Sequence, residues 1–406
     1  MKQIFTISFL LLLTFINATI INVPADQPTI QAGLDIAIEG DSVLVAAGTY
    51  YENITWPNIN GIKLIGTSAD DCIIDGNSVG MVINYEHWDT IHDSTTVIKN
   101  FTIQNGWWAR GCGINLRSEN QFLLENLIIK DNYLFAPYES EIFENDRYCI
   151  EGGAGIHLDN YSSPIMRNIL ICNNYSELDG GGMFLYEHSE PVMQNVTIVN
   201  NFSETEGGGI HCSYSSNPNL VNGILWNNYP QEIFTFNDSI NISYTDILNS
   251  WYGVGNIDSD PLFVDVLNED YHLTENSPCI DAGDPNSPLD PDGTIADMGA
   301  FYFDQLNAIN EIKINKYYMS NYPNPFNPST TISFSILEES NVELSIYNIK
   351  GQKIKKLEIR NVKLGINEIV WDGKDDNSKP VTSGIYLYLL KVEGKTIASR
   401  KCLLLK

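Results

Sequence analysis

Carboxylates recur at a fixed spacing in the middle of the sequence, in a pattern typical of metal ligands. Glu177 and Asp179 precede a run of three glycines, and Glu204 and Glu206 precede the same run 27 residues later. Carboxylates this close repel one another unless they are solvated or bridged, and calcium takes oxygen ligands of this kind. The pattern predicts a calcium site, with a solvated acidic corner as the alternative.

A second acidic group lies near residue 290. Asp290 and Asp292 belong to an Asp-Pro-Asp-Gly sequence, and Asp297 follows shortly afterwards. This spacing departs from the EF-hand pattern, so it predicts a calcium loop of a different kind.

A column of polar and aromatic residues is a candidate for ligand binding. In the strands predicted below, one face carries Asn115, His157, Phe184 and His211. Neighbouring strands lie about 4.8 Å apart, so these side chains would form a continuous strip. The pattern predicts a sugar-binding strip on the outer face, with an ordinary solvent-facing surface as the alternative.

Two tryptophans and an insertion indicate where a cleft would lie. Trp107 and Trp108 occupy a predicted turn, and an aromatic-rich insertion at 134–150 interrupts the repeat described next. Loops that leave a regular scaffold often carry recognition. The sequence predicts ligand contacts in this region, with a packed surface ornament as the alternative.

A repeat positions all of these residues. Similar segments begin at residues 162, 189 and 216, so the period is 27. Apolar residues alternate as in strands, and no helical segment separates those strands. One turn of such a chain cannot bury its apolar face alone, so the turns must stack into a parallel β-helix. The residues predicted to face its interior are Phe101, Ile103, Ile114, Leu116, Leu127, Ile129, Ile156, Leu158, Ile169, Ile171, Met183, Leu185, Val196, Ile198, Ile210, Cys212 and Leu225.

An asparagine column accompanies the repeat. Asn168, Asn195 and Asn222 fall where the strands bend. Asparagine tolerates the left-handed backbone better than most residues, and stacked amides can hydrogen-bond along the axis. The sequence therefore favours a structural role for this column over a ligand role.

Composition restricts the class of function. The chain has 406 residues and a net charge of −28, which argues against nucleic-acid binding and suits an exported or cation-gathering protein. Its seven cysteines include at least one unpaired thiol and form no CxxC pair, which argues against a zinc site. Cys212 is predicted to be a core thiol, whereas Cys112 and Cys149 could bridge if oxidised.

The N-terminus has the pattern of a secretory signal peptide. Met1-Lys2 precedes an apolar run at 4–16, which predicts a signal peptide over 1–18. This run is too short to span a bilayer comfortably, and no other segment looks transmembrane, so none is expected in the mature chain. Beyond it, Ile30, Leu34 and Ile38 share one face of a predicted short helix covering the open end of the β-helix.

The first rungs carry a family resemblance in the motifs Val23-Pro24, Pro28-Thr-Ile-Gln, Gly48-Thr-Tyr-Tyr-Glu and Ile73-Ile-Asp-Gly. The region 20–303 resembles right-handed β-helix proteins of the pectin-lyase-like superfamily. That fold alone does not imply an enzyme. The Gly-His-Gly and Arg-Ile-Lys elements of polygalacturonase-like members are missing, and Arg110 and Arg147 are unmatched candidates for the basic residue of a lyase.

A new composition begins after a polar linker at 304–316. Short alternating strands with glycine turns predict a small Ig-like β-sandwich over 317–406. The motifs are Tyr322-Pro-Asn-Pro-Phe-Asn-Pro, Tyr347-Asn-Ile-Lys-Gly-Gln, Trp371-Asp-Gly-Lys-Asp and Ser383-Gly-Ile-Tyr. This region resembles the type A C-terminal sorting domain of the type IX secretion system. The resemblance implies recognition by that machinery, passage across the outer membrane of a Gram-negative bacterium, and release or surface attachment.

The sequence thus predicts an all-β protein, a right-handed parallel β-helix followed by a sandwich, secreted or held at the outer-membrane surface. The favoured function is non-catalytic binding of polysaccharide or a surface partner, with calcium as the only cofactor considered. The alternatives are a polysaccharide lyase or glycoside hydrolase acting on acidic glycans, and a structural surface spacer.

Overall fold

The computed structural model describes residues 18–87, 89–136, 152–236, 238–306, 319–324, 326–336, 342–348, 350–357, 365–392 and 395–405. The chain divides into one compact unit ending at Asp304 and another beginning at Gln305. The predicted signal peptide, insertion and linker lie largely outside the described residues, as do Arg147 and Cys149.

The first unit consists mainly of short strands. In chain order its elements are β1 (Ile20–Val23), α1 (Ile30–Ile36), β2 (Ser42–Val45), β3 (Gly48–Tyr51), β4 (Ile54–Thr55), β5 (Lys63–Gly66), β6 (Cys72–Asp75), β7 (Ile83–Glu86), β8 (Val97–Gln104), β9 (Trp107–Trp108), β10 (Ile114–Arg117), β11 (Leu123–Lys130), β12 (Tyr133–Leu134), β13 (Ile156–Asp159), β14 (Ile165–Cys172), β15 (Tyr175–Ser176), β16 (Met183–Leu185), β17 (Val192–Val199), β18 (Phe202–Ser203), β19 (Ile210–Ser213), β20 (Asn219–Val221), β21 (Ile224–Trp226), β22 (Ile233–Phe236), β23 (Asn241–Ser243), β24 (Asp246–Ile247), β25 (Phe263–Asp265), a 3-10 turn (Val266–Asn268) and β26 (Asp270–Leu273).

Three parallel sheets run along this unit. The first sheet has the main path β1-β2-β5-β8-β11-β14-β17-β20-β23, the second is β22-β19-β16-β13-β10-β7-β4, and the third is β18-β15-β12-β9. In the first sheet, Ile169 pairs with Val196 and Ile171 pairs with Ile198, one repeat later. This register confirms the 27-residue period, and the architecture is a parallel β-helix.

The interior is apolar along the length of the helix. Every residue predicted from the sequence to face inward is at most 1% exposed. These side chains belong to one continuous core cluster, because each rung places the same strand positions above those of its neighbour. Cys212 is part of this core, as predicted, and burial raises the pKa of its thiol.

Helix α1 packs on the first rungs, but it is shorter than predicted. Ile30 and Leu34 are buried, and Thr29 caps the helix by accepting a hydrogen bond from the Ala32 amide at 3.1 Å. The backbone becomes extended at Ala37, so Ile38 lies beyond the helix end and is 42% exposed. Its predicted place on the buried helical face was wrong.

The chain after the last rungs folds back across the outer face of the first sheet. Leu170, on the outer side of β14, is buried in a cluster with Tyr271 of β26 and Ala300. The Ala300 amide donates to Oγ1 of Thr197 at 2.9 Å. We call residues 263–303 the exit segment. The exit segment therefore covers part of the outer face of the first sheet, which the alternation of apolar residues along the strands would assign to solvent.

The predicted asparagine column, which we call the outer column, bonds along the axis. Its members Asn100, Asn126, Asn168, Asn195 and Asn222 all have φ between 51° and 65°, the left-handed region. Nδ2 of Asn126 donates to Oδ1 of Asn100 at 3.1 Å, and Nδ2 of Asn168 donates to Oδ1 of Asn126 at 3.1 Å. The left-handed backbone and structural role predicted for Asn168, Asn195 and Asn222 are confirmed, although Nδ2 of Asn195 donates to the Asp297 carbonyl at 3.0 Å instead of along the column.

A second, buried amide ladder was not anticipated. It consists of Asn132, Asn174, Asn201 and Asn228, each at most 6% exposed, and ends at Glu232. In each asparagine pair, the backbone N–H and Nδ2 of one rung donate to Oδ1 of the next rung, at 2.9 to 3.1 Å. The Asn-Asn pairs that recur with the repeat were the sequence signal for this ladder.

Glu232 ends the ladder by accepting hydrogen bonds from the backbone N–H and the side-chain amide of Asn228. Burial raises its pKa to about 7. The folded state therefore favours the protonated carboxyl, and the contribution of Glu232 to stability decreases as the pH rises through about 7.

The second unit is an antiparallel sandwich. Its strands are β27 (Met319–Tyr322), β28 (Thr330–Ile336), β29 (Val342–Asn348), β30 (Lys353–Leu357), β31 (Gly365–Trp371), β32 (Gly384–Val392) and β33 (Lys395–Leu404). They form the sheets β27-β28-β31 and β30-β29-β32-β33. Trp371 and Phe334 are fully buried between them. The predicted small β-sandwich is confirmed.

The described cysteines are free and buried. Burial raises the pKa of the Cys112 thiol to about 12, and its predicted partner Cys149 lies outside the described residues. Within the part of the chain that the structure describes, no helix is long and apolar enough to cross a membrane.

Candidate functional site

The predicted sugar-binding strip forms a column, but it is buried. Asn115, His157, Phe184 and His211 pair in register on successive strands of the second sheet, yet they are only 0 to 5% exposed. The glycine turns fold over them: a Cβ placed on Gly152 would lie 2.5 Å from the Phe184 ring. The prediction that this column faces solvent was wrong, and it does not form an exposed binding strip.

The predicted tryptophans lie at one end of a stack of aromatic rings. Trp107 and Trp108 are each 38% exposed, and the Trp107 ring stacks on Phe135 with centroids 4.3 Å apart. Nearby, the rings of Tyr133, Tyr175, Phe202 and Tyr229 stack at 5.0 Å on successive rungs. These rings present their faces to one another, which leaves mainly their edges for a ligand. The rest of the predicted cleft falls in 137–151, outside the described residues.

The four carboxylates of the predicted calcium site divide into two pairs. Glu177 accepts a hydrogen bond from the Tyr133 hydroxyl at 2.5 Å and from the Ala136 amide at 2.8 Å. Glu204 likewise accepts a hydrogen bond from the Tyr175 hydroxyl. Of the four, the structure gathers only Asp179 and Glu206 into one cluster.

His211 completes that cluster. Ligand atoms of Asp179, Glu206 and His211 all lie within 4.8 Å of one another, and among the described residues no other such group of three or more is found. Oδ2 of Asp179 lies 3.7 Å from Nδ1 of His211, while Oδ1 accepts a hydrogen bond from Thr205 at 2.5 Å. We call these three residues the corner cluster.

The second predicted calcium loop is held by backbone amides instead. Oδ2 of Asp290 accepts from the Asp297 amide at 2.8 Å, and Oδ1 of Asp292 accepts from the Thr294 amide at 3.1 Å. Asp297 accepts from the amides of Asp281 and Phe303, each at 2.7 Å. These carboxylates stabilise turns and do not converge on one point. Burial raises the pKa of Asp290 to about 6.

The candidate basic residues of a lyase are engaged in ion pairs where they are described. Arg110 lies 3.9 Å from Glu86, and the neighbouring Arg117 contacts Glu86 at 2.6 Å and Asp159 at 3.0 Å. A guanidinium held in an ion pair is a poor proton acceptor because it carries only hydrogen-bond donors and no acceptor atom. The geometry gives no support to a proton-abstracting role for Arg110.

A groove lies between the first sheet and the exit segment. We call it the main groove; its volume is about 620 Å³. One wall carries Asn126, Asn168 and Asn195 of the outer column together with Arg167, and the other is formed by residues 288–291 and 299–302. Asn168 and Arg167 are exposed. The groove therefore combines amides, one cation and apolar surface.

A second cavity of about 370 Å³ continues the main groove toward the first rungs. The two share Ile128, His272 and Phe301. The His272 and Phe301 rings stack with centroids 4.3 Å apart and 21° between their planes. On the side of this cavity away from the main groove, Lys130 pairs with Glu269 at 2.5 Å. Together the cavities form a trough across several rungs.

Sequence reasoning missed the groove because its walls are distant in the chain. Asn168 and Phe301 are brought together only when the exit segment folds back over the sheet. The corner cluster was half found: Asp179 and Glu206 were assigned to a calcium site, and His211 to a sugar strip. Their common 27-residue repeat was a signal that these features occupy neighbouring rungs.

Comparison with known proteins agrees with this architecture. The family model described as "Right handed beta helix region" matches residues 35–264, more than half of the chain, and the one described as "FlgD Ig-like domain" matches residues 327–396. No curated protein sequence matches the chain.

Solved structures match over shorter stretches. Dimeric latent PorU from Porphyromonas gingivalis matches with 22% identity and a TM-score of 0.21, over 23% of this chain and 10% of that one. PorZ, described as an essential surface component of the type IX secretion system of the same bacterium, matches with 15% identity and a TM-score of 0.17, over 29% of this chain and 14% of that one. On the β-helix match, covering the stacked sheets described above, the chain belongs to the right-handed β-helix family.

Proposed function

We propose that this protein is exported to the cell surface or medium and binds polysaccharide, without catalysis, in the main groove. The observation that carries this proposal is the meeting of the outer asparagine column with the exit segment. Ligand sites are typically concave, with much apolar surface and a few convergent polar groups, and the main groove has this character.

The outer column supplies polar groups at a regular interval. Asn126, Asn168 and Asn195 line the groove on successive rungs, about 4.8 Å apart as in any sheet. Oδ1 of Asn168 accepts no hydrogen bond from the described residues, while its Nδ2 donates a hydrogen bond to Oδ1 of Asn126. Asn126 and Asn195 already use both ends of their amides within the protein, so Oδ1 of Asn168 is the column oxygen that we expect to accept from a polysaccharide hydroxyl.

The opposite wall supplies aromatic surface. Phe301 and Tyr302 line the groove, and Tyr302 is 38% exposed.

Arg167, on the first wall, has no ion-pair partner among the described residues. The net charge of −28 repels a polyanion at long range. The charge of the chain therefore favours a neutral polysaccharide over the acidic glycan on which a lyase would act.

The groove is tested by combining Arg167→Ala with Tyr302→Ala. Both side chains are accessible, so we expect the double variant to fold normally and to lose at least tenfold in affinity for a polysaccharide first identified on a glycan array. The measurement is isothermal titration calorimetry on the full chain.

The matched control is Tyr252→Ala, because Tyr252 is fully exposed and does not line the groove; its affinity should be unchanged. An undiminished affinity in the double variant, or an array without any hit, would contradict the proposal. Release of unsaturated uronate, seen by ultraviolet absorption, would favour the lyase instead.

We propose further that the C-terminal unit is a type IX sorting domain. The motifs that carry the resemblance are packed together: Phe326 contacts Trp371 with ring centroids 5.3 Å apart, and Nε1 of Trp371 donates to the Lys374 carbonyl at 3.0 Å. The Phe326 amide donates to the Leu403 carbonyl, and the Leu405 amide donates to the Phe326 carbonyl, each at 2.9 Å. The motif residue Phe326 thus holds the last strand, β33, in place.

Export is tested by deleting residues 317–406. In a bacterium with a type IX system, we expect the full chain at the surface or in the medium and the shortened chain in the periplasm, by fractionation and immunoblot. Equal export of both forms would contradict a sorting role. The shortened chain keeps the β-helix core, and circular dichroism of the purified protein would check its fold.

A further inference from the structure

The corner cluster lies between the second and third sheets, away from the main groove. Asp179 and Glu206 occupy equivalent places on neighbouring rungs, each just before a glycine turn, and His211 follows on β19. Glu206 is exposed and the Asp179 side chain is 29% exposed, whereas the His211 side chain is 6% exposed. Two accessible carboxylates therefore meet a buried imidazole.

One ring nitrogen of this imidazole lacks a partner. Nδ1 of His211 is buried and makes no hydrogen bond with the described residues. The Glu206 carbonyl lies beside the ring, but without the geometry of a hydrogen bond to Nδ1. His157, two rungs earlier, shows the contrast: its Nδ1 lies 3.0 Å from the Gly152 carbonyl. A buried polar atom without a partner is unfavourable, and Nδ1 of His211 faces the Asp179 carboxylate.

The donor set indicates the kind of ion. Calcium takes six to eight oxygen ligands, whereas imidazole suits zinc and neighbouring transition metals. A neutral imidazole binds metals through a ring nitrogen that carries no proton, and Nδ1 of His211 is a buried nitrogen without a hydrogen-bond partner among the described residues. Two ligands of a tetrahedral zinc lie about 3.3 Å apart, given bonds of about 2.0 Å. The 3.7 Å between Asp179 and His211 is close to this value, and Glu206 can move inward because it is exposed.

We propose that Asp179, Glu206 and His211 bind a divalent transition-metal ion of the zinc class, not calcium. Thr205 orients the site by donating to Oδ1 of Asp179, which leaves Oδ2 facing His211. The remaining coordination positions face solvent, as in zinc sites with three protein ligands. The cysteine spacing argued against a zinc site, but that argument covers only cysteine ligands, and none of the three ligands proposed here is a cysteine.

The site is tested by titrating the full chain with Zn²⁺ in a calorimeter, and with Co²⁺ followed by visible absorption, both in excess Ca²⁺. We expect one ion per chain and an absorption spectrum typical of nitrogen and oxygen ligands. Glu206→Gln should weaken Zn²⁺ binding at least tenfold, and this variant keeps its fold because Glu206 is exposed. His211→Gln should remove the Co²⁺ spectrum.

Glu204→Gln is the matched control, since it removes the same charge from the same turn but from a carboxylate held by Tyr175. Its Zn²⁺ affinity should remain within about twofold of the wild type. Absence of Zn²⁺ binding, equal weakening in Glu204→Gln and Glu206→Gln, or displacement of Zn²⁺ by Ca²⁺ would each overturn the proposal. None of these results bears on the groove, which lies on the first sheet.

Discussion

Replacing Asn201 with alanine is expected to lower the free energy of unfolding by about 3 kcal/mol or more. Oδ1 of Asn201 accepts from both the backbone N–H and Nδ2 of Asn174, while its own Nδ2 donates to the Ile171 carbonyl at 2.9 Å and to Oδ1 of Asn228. Alanine would leave these buried groups without partners, at about 1–3 kcal/mol for each unsatisfied group. The loss is large because the site is buried and water does not replace the amide.

The measurement is urea unfolding of the β-helix transition, followed by circular dichroism. Asn168→Ala is the control, because Asn168 also belongs to an asparagine column of the repeat but has an exposed side chain. It should cost about 1 kcal/mol, mainly for alanine in a left-handed conformation. Equal losses in the two variants would show that the buried ladder is not a major source of stability.

Gly181→Ala is expected to destabilise the β-helix by about 3 kcal/mol, since overpacking at a rigid site costs this much. A Cβ at Gly181 would lie 2.5 Å from the Phe202 carbonyl oxygen and 2.6 Å from that of Gly208. Both are backbone atoms of the next rung, so the rungs themselves would have to separate. The same unfolding experiment measures the effect.

Gly80→Ala provides the comparison for this substitution. The nearest atom to its Cβ would be Nδ2 of Asn53 at 3.4 Å, the end of a flexible side chain. We expect a change within about 0.5 kcal/mol, as for ordinary surface substitutions. A large loss here, or none at Gly181, would contradict the argument from close rung contacts.

The periodic features of the fold were predictable because the repeat imposes them. Ile169 and Val196 occupy the same place in successive units, so one alternation pattern determines the burial of both. The outer column was predicted for the same reason, since Asn168 and Asn195 recur at bends. The helix end at Ile36 was missed because Ile38 continues the apolar spacing, although the backbone is already extended at Ala37.

The candidate sites were less predictable because they depend on contacts that break the period. His157 and His211 lie in one column, yet their Nδ1 atoms meet different groups: the Gly152 carbonyl at 3.0 Å for His157, and the Asp179 carboxylate at 3.7 Å for His211. Burial of the whole column depends on glycine turns folding over it, which strand alternation does not encode. Predicting the groove would have required the position of Phe301, which depends on how the exit segment folds back over the first sheet.

The buried amide ladder gives the β-helix a direction. Within the ladder, each asparagine donates to the asparagine of the later rung and accepts from the asparagine of the earlier rung, so a whole unit can be duplicated or lost without leaving a mismatched step. Glu232 differs, because its carboxyl oxygens accept hydrogen bonds from Asn228 and it continues the ladder to no further asparagine. Glu232 marks the end of the repeating ladder, and proteins of other lengths could evolve by duplication of repeat units that precede such a residue.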